Sequence, residues 1–195
     1  MKNFKRTLQL VAVFLFIGAI QLSAQTYKYQ KIVGFTDATN AKLEAFLQST
    51  ISMNIRKVAV FDCDGTLFGK VPYYLAEEAL YEYARRNYAG KKDAKSVEKF
   101  KLVDKMIKED AISRERDRIK FLSGLTPEEV QRIGDDCFHE KYQNKFYPQM
   151  KALLANLRNY GFETWVISAS PELLYQRLLW LNTLEIKKDK MYFYL

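Results

Sequence analysis

The sequence is poor in the residues that build several common kinds of site. Its 195 residues include one histidine, two cysteines, four prolines and eight glycines. The single histidine, His139, has no cluster of metal-binding residues around it, so we interpret it as a surface or helix-cap residue. A disulfide between Cys63 and Cys137 is possible in an oxidising compartment. It is disfavoured because Cys63 lies inside a crowded acidic motif that leaves little room for a crosslink.

Repeats, linkers and long hydrophobic runs are also missing. We find no internal repeat and no low-complexity segment, so we expect one domain with an insertion. The longest apolar stretch, residues 8–22, has about fifteen residues, fewer than the roughly twenty that cross a membrane. Basic residues precede this stretch and small residues close it, which is the pattern of a secretory signal. We therefore expect residues 1–25 to be a signal peptide. The protein would be exported, periplasmic or secreted, with no membrane contact after signal cleavage.

Neither sign of charge forms a long block. The formal net charge is +8, but basic and acidic residues alternate in segments such as 91–95 and 114–118, which is typical of solvated helix faces. The sequence therefore predicts no nucleic-acid site. A mild positive excess would attract anionic small molecules, although only weakly at physiological salt. Nothing in the pattern indicates an oligomeric state.

The sequence does contain a sharp motif at residues 58–67, VAVFDCDGTL. Its four apolar residues are typical of a strand buried in a parallel sheet, and they stop at Asp62 and Asp64. Active sites in open α/β sheets usually lie at the carboxyl ends of such strands. Two neighbouring carboxylates in different surroundings commonly divide nucleophilic and acid–base roles, and carboxylates also bind Mg²⁺. Gly65 permits the turn that follows, and Thr66 can donate a hydrogen bond. The alternative is an Asp-Gly turn with both acids solvated.

A second apolar segment, residues 164–168, ends at a serine. Pro171 suits the first turn of a following helix, whose N-terminal amides favour anions. The alternative is a plain strand-to-helix turn with Ser170 as the helix cap.

The two motifs resemble those of the haloacid dehalogenase superfamily, whose phosphatase branches have an apolar strand followed by DxDGT. The resemblance implies a Rossmann-like parallel α/β sheet. It also implies that Asp62 is the nucleophile, forming an aspartyl-phosphate, and that Asp64 protonates the leaving alcohol and later deprotonates water. The dehalogenases that named the superfamily have no aspartate at the second position, because a halide needs no proton. The expected substrate is therefore a small-molecule phosphate ester.

The resemblance further implies the groups that hold metal and phosphate. Mg²⁺ is expected at the Asp62 carboxylate and the Asp64 main-chain carbonyl. The substrate phosphate is expected at Ser168, with Thr66 and Ala169 beside it.

Between the two strands the pattern is almost wholly helical. Including the elements that flank the strands, the sequence predicts helices starting at Asp37 or Thr39 and over residues 74–88, 96–110, 113–122, 126–140 and 149–160. A parallel crossover needs only a dozen or more residues, so a helical module has been inserted. In the phosphoserine-phosphatase-like branch of the family, a helical cap lies at this place.

The resemblance therefore implies a cap at residues 71–147, between core segments 26–70 and 148–195. Such a cap closes to exclude water and to select the substrate. The residues nearest the first motif are expected to line the substrate side or to pack within the cap: Phe68, Tyr73, Tyr74 and Glu77.

Two further motifs of the family, a lysine and an acidic pair, are not found after Ser168. We interpret the lysines at positions 187, 188 and 190 as a solvated basic turn, and residues 191–195 as a short strand or a frayed end. The chain resembles the front two-thirds of a phosphatase, C-terminally incomplete, with the Asp62 strand at a sheet edge. The alternative function is therefore a catalytically impaired protein of this fold that keeps only phosphate, metal or partner binding.

Overall fold

The computed structural model describes residues 27–67, 69–175, 184 and 186–194. The signal peptide expected at residues 1–25 and the expected cap residue Phe68 lie outside these residues. Within the described part of the chain, no helix combines the length and the apolar character that a membrane crossing requires.

The described elements alternate between a small sheet and a set of helices. The strands are β1 (Lys57–Phe61), β2 (Phe162–Pro171) and β3 (Met191–Tyr194). The helices are α1 (Asp37–Ser49), α2 (Leu75–Asn87), α3 (Ala94–Met106), α4 (Ala111–Leu122), α5 (Pro127–Cys137), α6 (Pro148–Asn159) and α7 (Glu172–Tyr175), with a π-helical turn at Phe138–Tyr142 and a 3₁₀ turn at Lys188–Lys190. All the predicted helices are present, and α2 to α5 follow one another between β1 and β2.

The three strands form one parallel sheet in the order β1-β2-β3. This arrangement confirms the α/β fold class, and it places β1 at an edge among the described strands, as expected. Val60 pairs with Trp165 and Phe61 with Val166, so the carboxyl ends of β1 and β2 meet at the same side of the sheet. The residues that follow Phe61 therefore lie beside the last residues of β2.

The sheet has one covered face and one open face. On the covered face, Ala59 and Phe61 pack against a cluster formed by Leu47 of α1, Leu157 of α6 and Tyr160, which follows α6. The open face carries apolar side chains that are between 42% and 56% exposed: Val58, Val60, Ile167 and Tyr192. The alternation of the strands produces this division, because successive side chains point to opposite faces.

Helix boundaries differ from the sequence prediction where an aspartate caps the helix. Asp93 accepts a hydrogen bond from Ser96 N, so α3 begins two residues earlier than predicted. Asp110 caps α4 through Ile112 N and Ser113 N, and a residue that caps one helix cannot continue the previous one. The prediction that one helix continues to residue 110 is therefore wrong. At α5 the predicted capping box is confirmed, with Thr126 and Glu129 bonded to each other's backbone.

The end of β2 also differs from the prediction. Pro171 was expected in the first turn of a helix, but it is the last residue of β2, and α7 starts at Glu172. The extended backbone continues because Ser168 and Ser170 both turn into the interior, each 7% exposed. Period-two burial of this kind is the signature of a strand.

Candidate active site

Asp62 is exposed and follows β1 directly. Its Oδ1 accepts a hydrogen bond from the amide of Cys63 at 2.7 Å. The backbone then turns sharply, with Leu67 N donating to Cys63 O at 2.9 Å and Gly65 in the left-handed region at a φ of 76°. A residue with a side chain is disfavoured at that φ, so glycine makes this turn possible. The turn leaves the Asp62 carboxylate accessible to a ligand.

Cys63 lies between the two acids, and its side chain is fully buried in the main core. Burial raises the pKa of this thiol well above its ordinary value. The group is therefore a neutral packing residue and no nucleophile. Both Cys63 and Cys137 are free thiols.

Asp64 occupies a very different environment from Asp62. Its Oδ2 accepts two hydrogen bonds, from Ser170 Oγ at 2.7 Å and from Tyr175 Oη at 2.6 Å. Its Oδ1 is buried and has no hydrogen-bond partner among the described residues. Burial raises the pKa of Asp64 to about 6, and the negative charges of Glu77 and Asp62 act in the same direction, against the two hydrogen bonds. A carboxyl with this pKa can both donate and accept a proton near neutrality.

Tyr175 joins this carboxyl to the helical segment. Its side chain is fully buried, and its Oη accepts a hydrogen bond from Ala76 N, in the first turn of α2, at 3.1 Å. Sequence reasoning missed Tyr175 and treated Ser170 as a helix cap only. The sequence signal for Ser170 was weak. Ser168 and Ser170 are two residues apart, so in a strand their side chains point to the same face.

The expected phosphate-binding residues are placed near the same end of the sheet. Ser168 is buried, and its Oγ accepts a hydrogen bond from Ser170 N at 3.3 Å. Thr66 is half-buried in the turn, and Ala169 is exposed. No hydrogen bond in the described part of the chain joins Ser168 to Asp62. The structure thus brings Asp64 together with Ser170 and Tyr175, and the phosphate-binding roles stay predictions.

The residues expected to line the cap side differ in what they do. A side chain added at Gly65 would start 2.6 Å from Tyr74 Oη, so the Tyr74 hydroxyl lies directly over the turn. Glu77 is close enough to raise the pKa of Asp64, and it also receives a long contact of 3.5 Å from Arg118. Tyr73 instead packs edge-on against Tyr81, with ring centroids 5.0 Å apart.

The residues that could hold a divalent cation are Asp62 and Asp64. Mg²⁺ prefers oxygen ligands and is commonly held by one or two carboxylates, with substrate phosphate and water completing the shell. The exposed carboxylate of Asp62 fits that chemistry, and the main-chain carbonyl of Asp64 would be the second ligand, which leaves the Asp64 side chain for proton transfer. Among the residues that the structure describes, no group of three His, Cys, Asp or Glu side chains comes together.

The basic turn before β3 lies away from these acids. Lys190 donates to Glu163 at 3.0 Å, and its Nζ lies 4.2 Å from the centre of the Trp165 ring. Both partners belong to the first half of β2, whereas Ser168 and Ser170 belong to its last residues. The prediction of a solvated turn is therefore wrong for Lys190, whose side chain is 26% exposed and paired with Glu163.

Residues 59–191 match the family model described as haloacid dehalogenase-like hydrolase. Among solved structures, the chain is similar to the crystal structure of a phosphoserine phosphohydrolase-like protein from Francisella tularensis subsp. tularensis SCHU S4, with 18% sequence identity and a TM-score of 0.46. That similarity covers 71% of this chain and 58% of the other, so this chain spans less than two thirds of its length. No curated protein matches the chain.

Proposed function

The chain belongs to the haloacid dehalogenase-like hydrolases, and we propose that within this family it is a phosphatase. It would hydrolyse a small-molecule phosphomonoester through an aspartyl-phosphate intermediate on Asp62, with Mg²⁺ as cofactor. The helical residues 71–147 would form a cap of the phosphoserine-phosphatase-like type, and the protein would act after export.

The observation that carries this proposal is the contrast between the two carboxyls. Asp62 is exposed, whereas Asp64 is held by two hydrogen bonds and has a pKa of about 6. Two acids in such different environments can act as nucleophile and as proton donor within one site. An alcohol leaving group needs a proton donor, and a halide does not. The pair therefore favours a phosphate ester over an alkyl halide.

In the first half of the reaction, an Asp62 oxygen attacks phosphorus. The bond between phosphorus and the ester oxygen breaks as the Asp62–phosphorus bond forms, and Asp64 gives its proton to the departing alcohol oxygen. In the second half, water attacks the same phosphorus and Asp64 takes a proton from that water. The bond to Asp62 breaks, which releases inorganic phosphate and restores both acids.

Several groups would support these steps. Ser168, Thr66 and Ala169 would hold phosphate oxygens at the end of β2 and in the turn. When bound at Asp62 and Asp64, Mg²⁺ supplies positive charge that offsets the charge of the phosphoryl group. Tyr74 covers the turn at Gly65 and would help to exclude water from the site.

The test is turnover of p-nitrophenyl phosphate with Mg²⁺ by the wild-type protein and by Asp62→Asn. We expect turnover by the wild type and a loss of at least about a thousandfold in the variant, because the nucleophile is removed. Asp104→Asn changes an exposed acid on α3 and should behave as wild type. Brief reaction and acid quenching should leave one phosphoryl group on Asp62, located by mass spectrometry. Full turnover by Asp62→Asn would remove Asp62 as the nucleophile.

A second candidate function is binding without turnover, by a catalytically impaired protein of the same fold. The open face of the sheet favours it, because Val58 and Val60 are 42% and 56% exposed on the strand that leads to Asp62. Exposed apolar patches of this kind mark surfaces that another protein segment can cover. A folded protein that binds inorganic phosphate or Mg²⁺ and hydrolyses no phosphate ester would support this function.

A further inference from the structure

Two of the hydrogen bonds of the Tyr175 hydroxyl have directions that are determined by chemistry. Ala76 N can only donate, so Tyr175 Oη accepts from it, at 3.1 Å. The single hydroxyl proton of Tyr175 then goes to Asp64 Oδ2, at 2.6 Å. The tyrosine thus links an amide of α2 to a carboxyl at the end of β1, two groups that approach the site from different parts of the fold.

Asp64 Oδ2 is occupied on both sides. Ser170 Oγ donates to it at 2.7 Å in addition to Tyr175, whereas Oδ1 has no partner. An oxygen that accepts two hydrogen bonds is a poor place for the acid proton, because that proton would have to displace a donor. Ser170 and Tyr175 therefore hold the carboxyl through Oδ2.

The fold holds Tyr175 firmly in this place. The short helix α7 follows β2 without a loop, and the Tyr175 side chain is fully buried in the main core. Burial raises the pKa of its phenol well above the ordinary value, so the hydroxyl remains a proton-bearing donor. Gly134 of α5 lets α7 approach, since a Cβ there would lie 2.2 Å from Leu174 O.

We propose that Tyr175 is a positioning residue for the acid–base step, with Ser170 as its partner. Together they hold Asp64 Oδ2 and set the orientation of the carboxyl that exchanges a proton with the substrate. Because Tyr175 also accepts a hydrogen bond from Ala76 N, the orientation of the Asp64 carboxyl depends on the position of α2. The inference rests on the proposed function and deepens it, because it names the groups that orient the acid.

The test compares leaving groups in Tyr175→Phe, which removes the hydroxyl alone. A p-nitrophenolate ion leaves readily without a proton, whereas an alkoxide does not. We expect kcat for an alkyl phosphate to fall by about ten- to a hundredfold and kcat for p-nitrophenyl phosphate by less than about threefold, with little change in KM. Ser170→Ala should show the same selective loss. Tyr160→Phe is the matched control, because Tyr160 is also fully buried and its hydroxyl bonds to Gln48, far from Asp64.

Equal losses for both leaving groups in Tyr175→Phe and Ser170→Ala would overturn the proposal, because a general loss of structure affects all substrates alike. A change confined to KM would overturn it as well.

A second measurement does not depend on turnover. Hydrogen exchange at the Ala76 amide should be about tenfold faster in Tyr175→Phe than in Tyr160→Phe, since its acceptor has been removed. Unchanged exchange would refute the link between α2 and Asp64. A wild-type protein that hydrolyses no phosphate ester would refute the proposed function, and the exchange experiment would still decide whether Tyr175 holds α2.

Discussion

Gly134 offers a sharp test of how the helices position Tyr175. Gly134 lies in α5, and a Cβ added to it would be 2.2 Å from the carbonyl oxygen and 2.7 Å from the carbonyl carbon of Leu174. Both are backbone atoms, so no rotamer change can relieve the contact, and α5 or α7 must shift as a unit. Because Tyr175 is the next residue, the shift would also displace the hydroxyl that holds Asp64.

Two effects set the size of the change in Gly134→Ala. Alanine is more favourable than glycine in a helix interior by about 1 kcal/mol, which would stabilise the variant if space were available. Overpacking a close contact costs about 1–3 kcal/mol, and a backbone contact this short lies at the upper end of that range. We therefore expect the free energy of unfolding to fall by about 2 kcal/mol.

The assay is urea denaturation of the wild type, Gly134→Ala and Gly90→Ala. Gly90 is the control because its φ is +75° and nothing lies within 4 Å of an added Cβ, so only backbone strain of about 1–2 kcal/mol is introduced. The folded fraction of Gly134→Ala should also lose activity on alkyl phosphates more than on p-nitrophenyl phosphate. An unfolding free energy equal to or above that of the wild type would refute the close packing of α5 on α7.

Three further outcomes can be checked directly. In metal-free buffer, the raised pKa of Asp64 should make the wild type lose up to about 3 kcal/mol of stability as the pH rises from 4 through 6, because ionising the buried carboxyl is costly. Asp64→Asn should not show this loss in urea titrations, and parallel curves for the two proteins would contradict the assignment. Chelation of divalent ions should reduce turnover by at least about a hundredfold and added Mg²⁺ should restore it, whereas full activity in chelator would exclude the metal. Ser168→Ala should raise KM for phosphate esters, and unchanged kinetics would show that its hydroxyl only accepts the Ser170 amide.

The sequence predicted the helices well because their start signals are local. Thr126, Pro127 and Glu129 form a capping box within a few residues, and the structure has it as expected. The predicted helix to residue 110 was wrong because α3 ends at Met106 and the side chain of Asp110 caps the next helix. A capping bond can be identified only when the neighbouring helix is known.

The site was predictable only in part. Asp62 and Asp64 were identified from the motif, since an apolar strand followed by two acids is readable within ten residues. Ser170 was interpreted as a cap, because in the sequence it stands where a helix was expected to start. The longer β2 turns its hydroxyl toward Asp64 instead. Nothing in the sequence marked Tyr175 as a site residue, since a tyrosine in an apolar helix usually packs in the core.

By itself the sequence determined the chemistry that is available: an acid pair after a strand, the helices between the two strands, and the family to which these motifs belong. Only the tertiary structure decided which oxygen of Asp64 is free. The groups that occupy the other oxygen come from 106 and 111 residues away in the chain. The parallel register of β1 with β2 brings them to the same end of the sheet, and burial there separates the pKa of Asp64 from that of an ordinary aspartate. Local patterns specify residue types and short-range bonds, whereas burial and long-range hydrogen bonds exist only once the strands have paired.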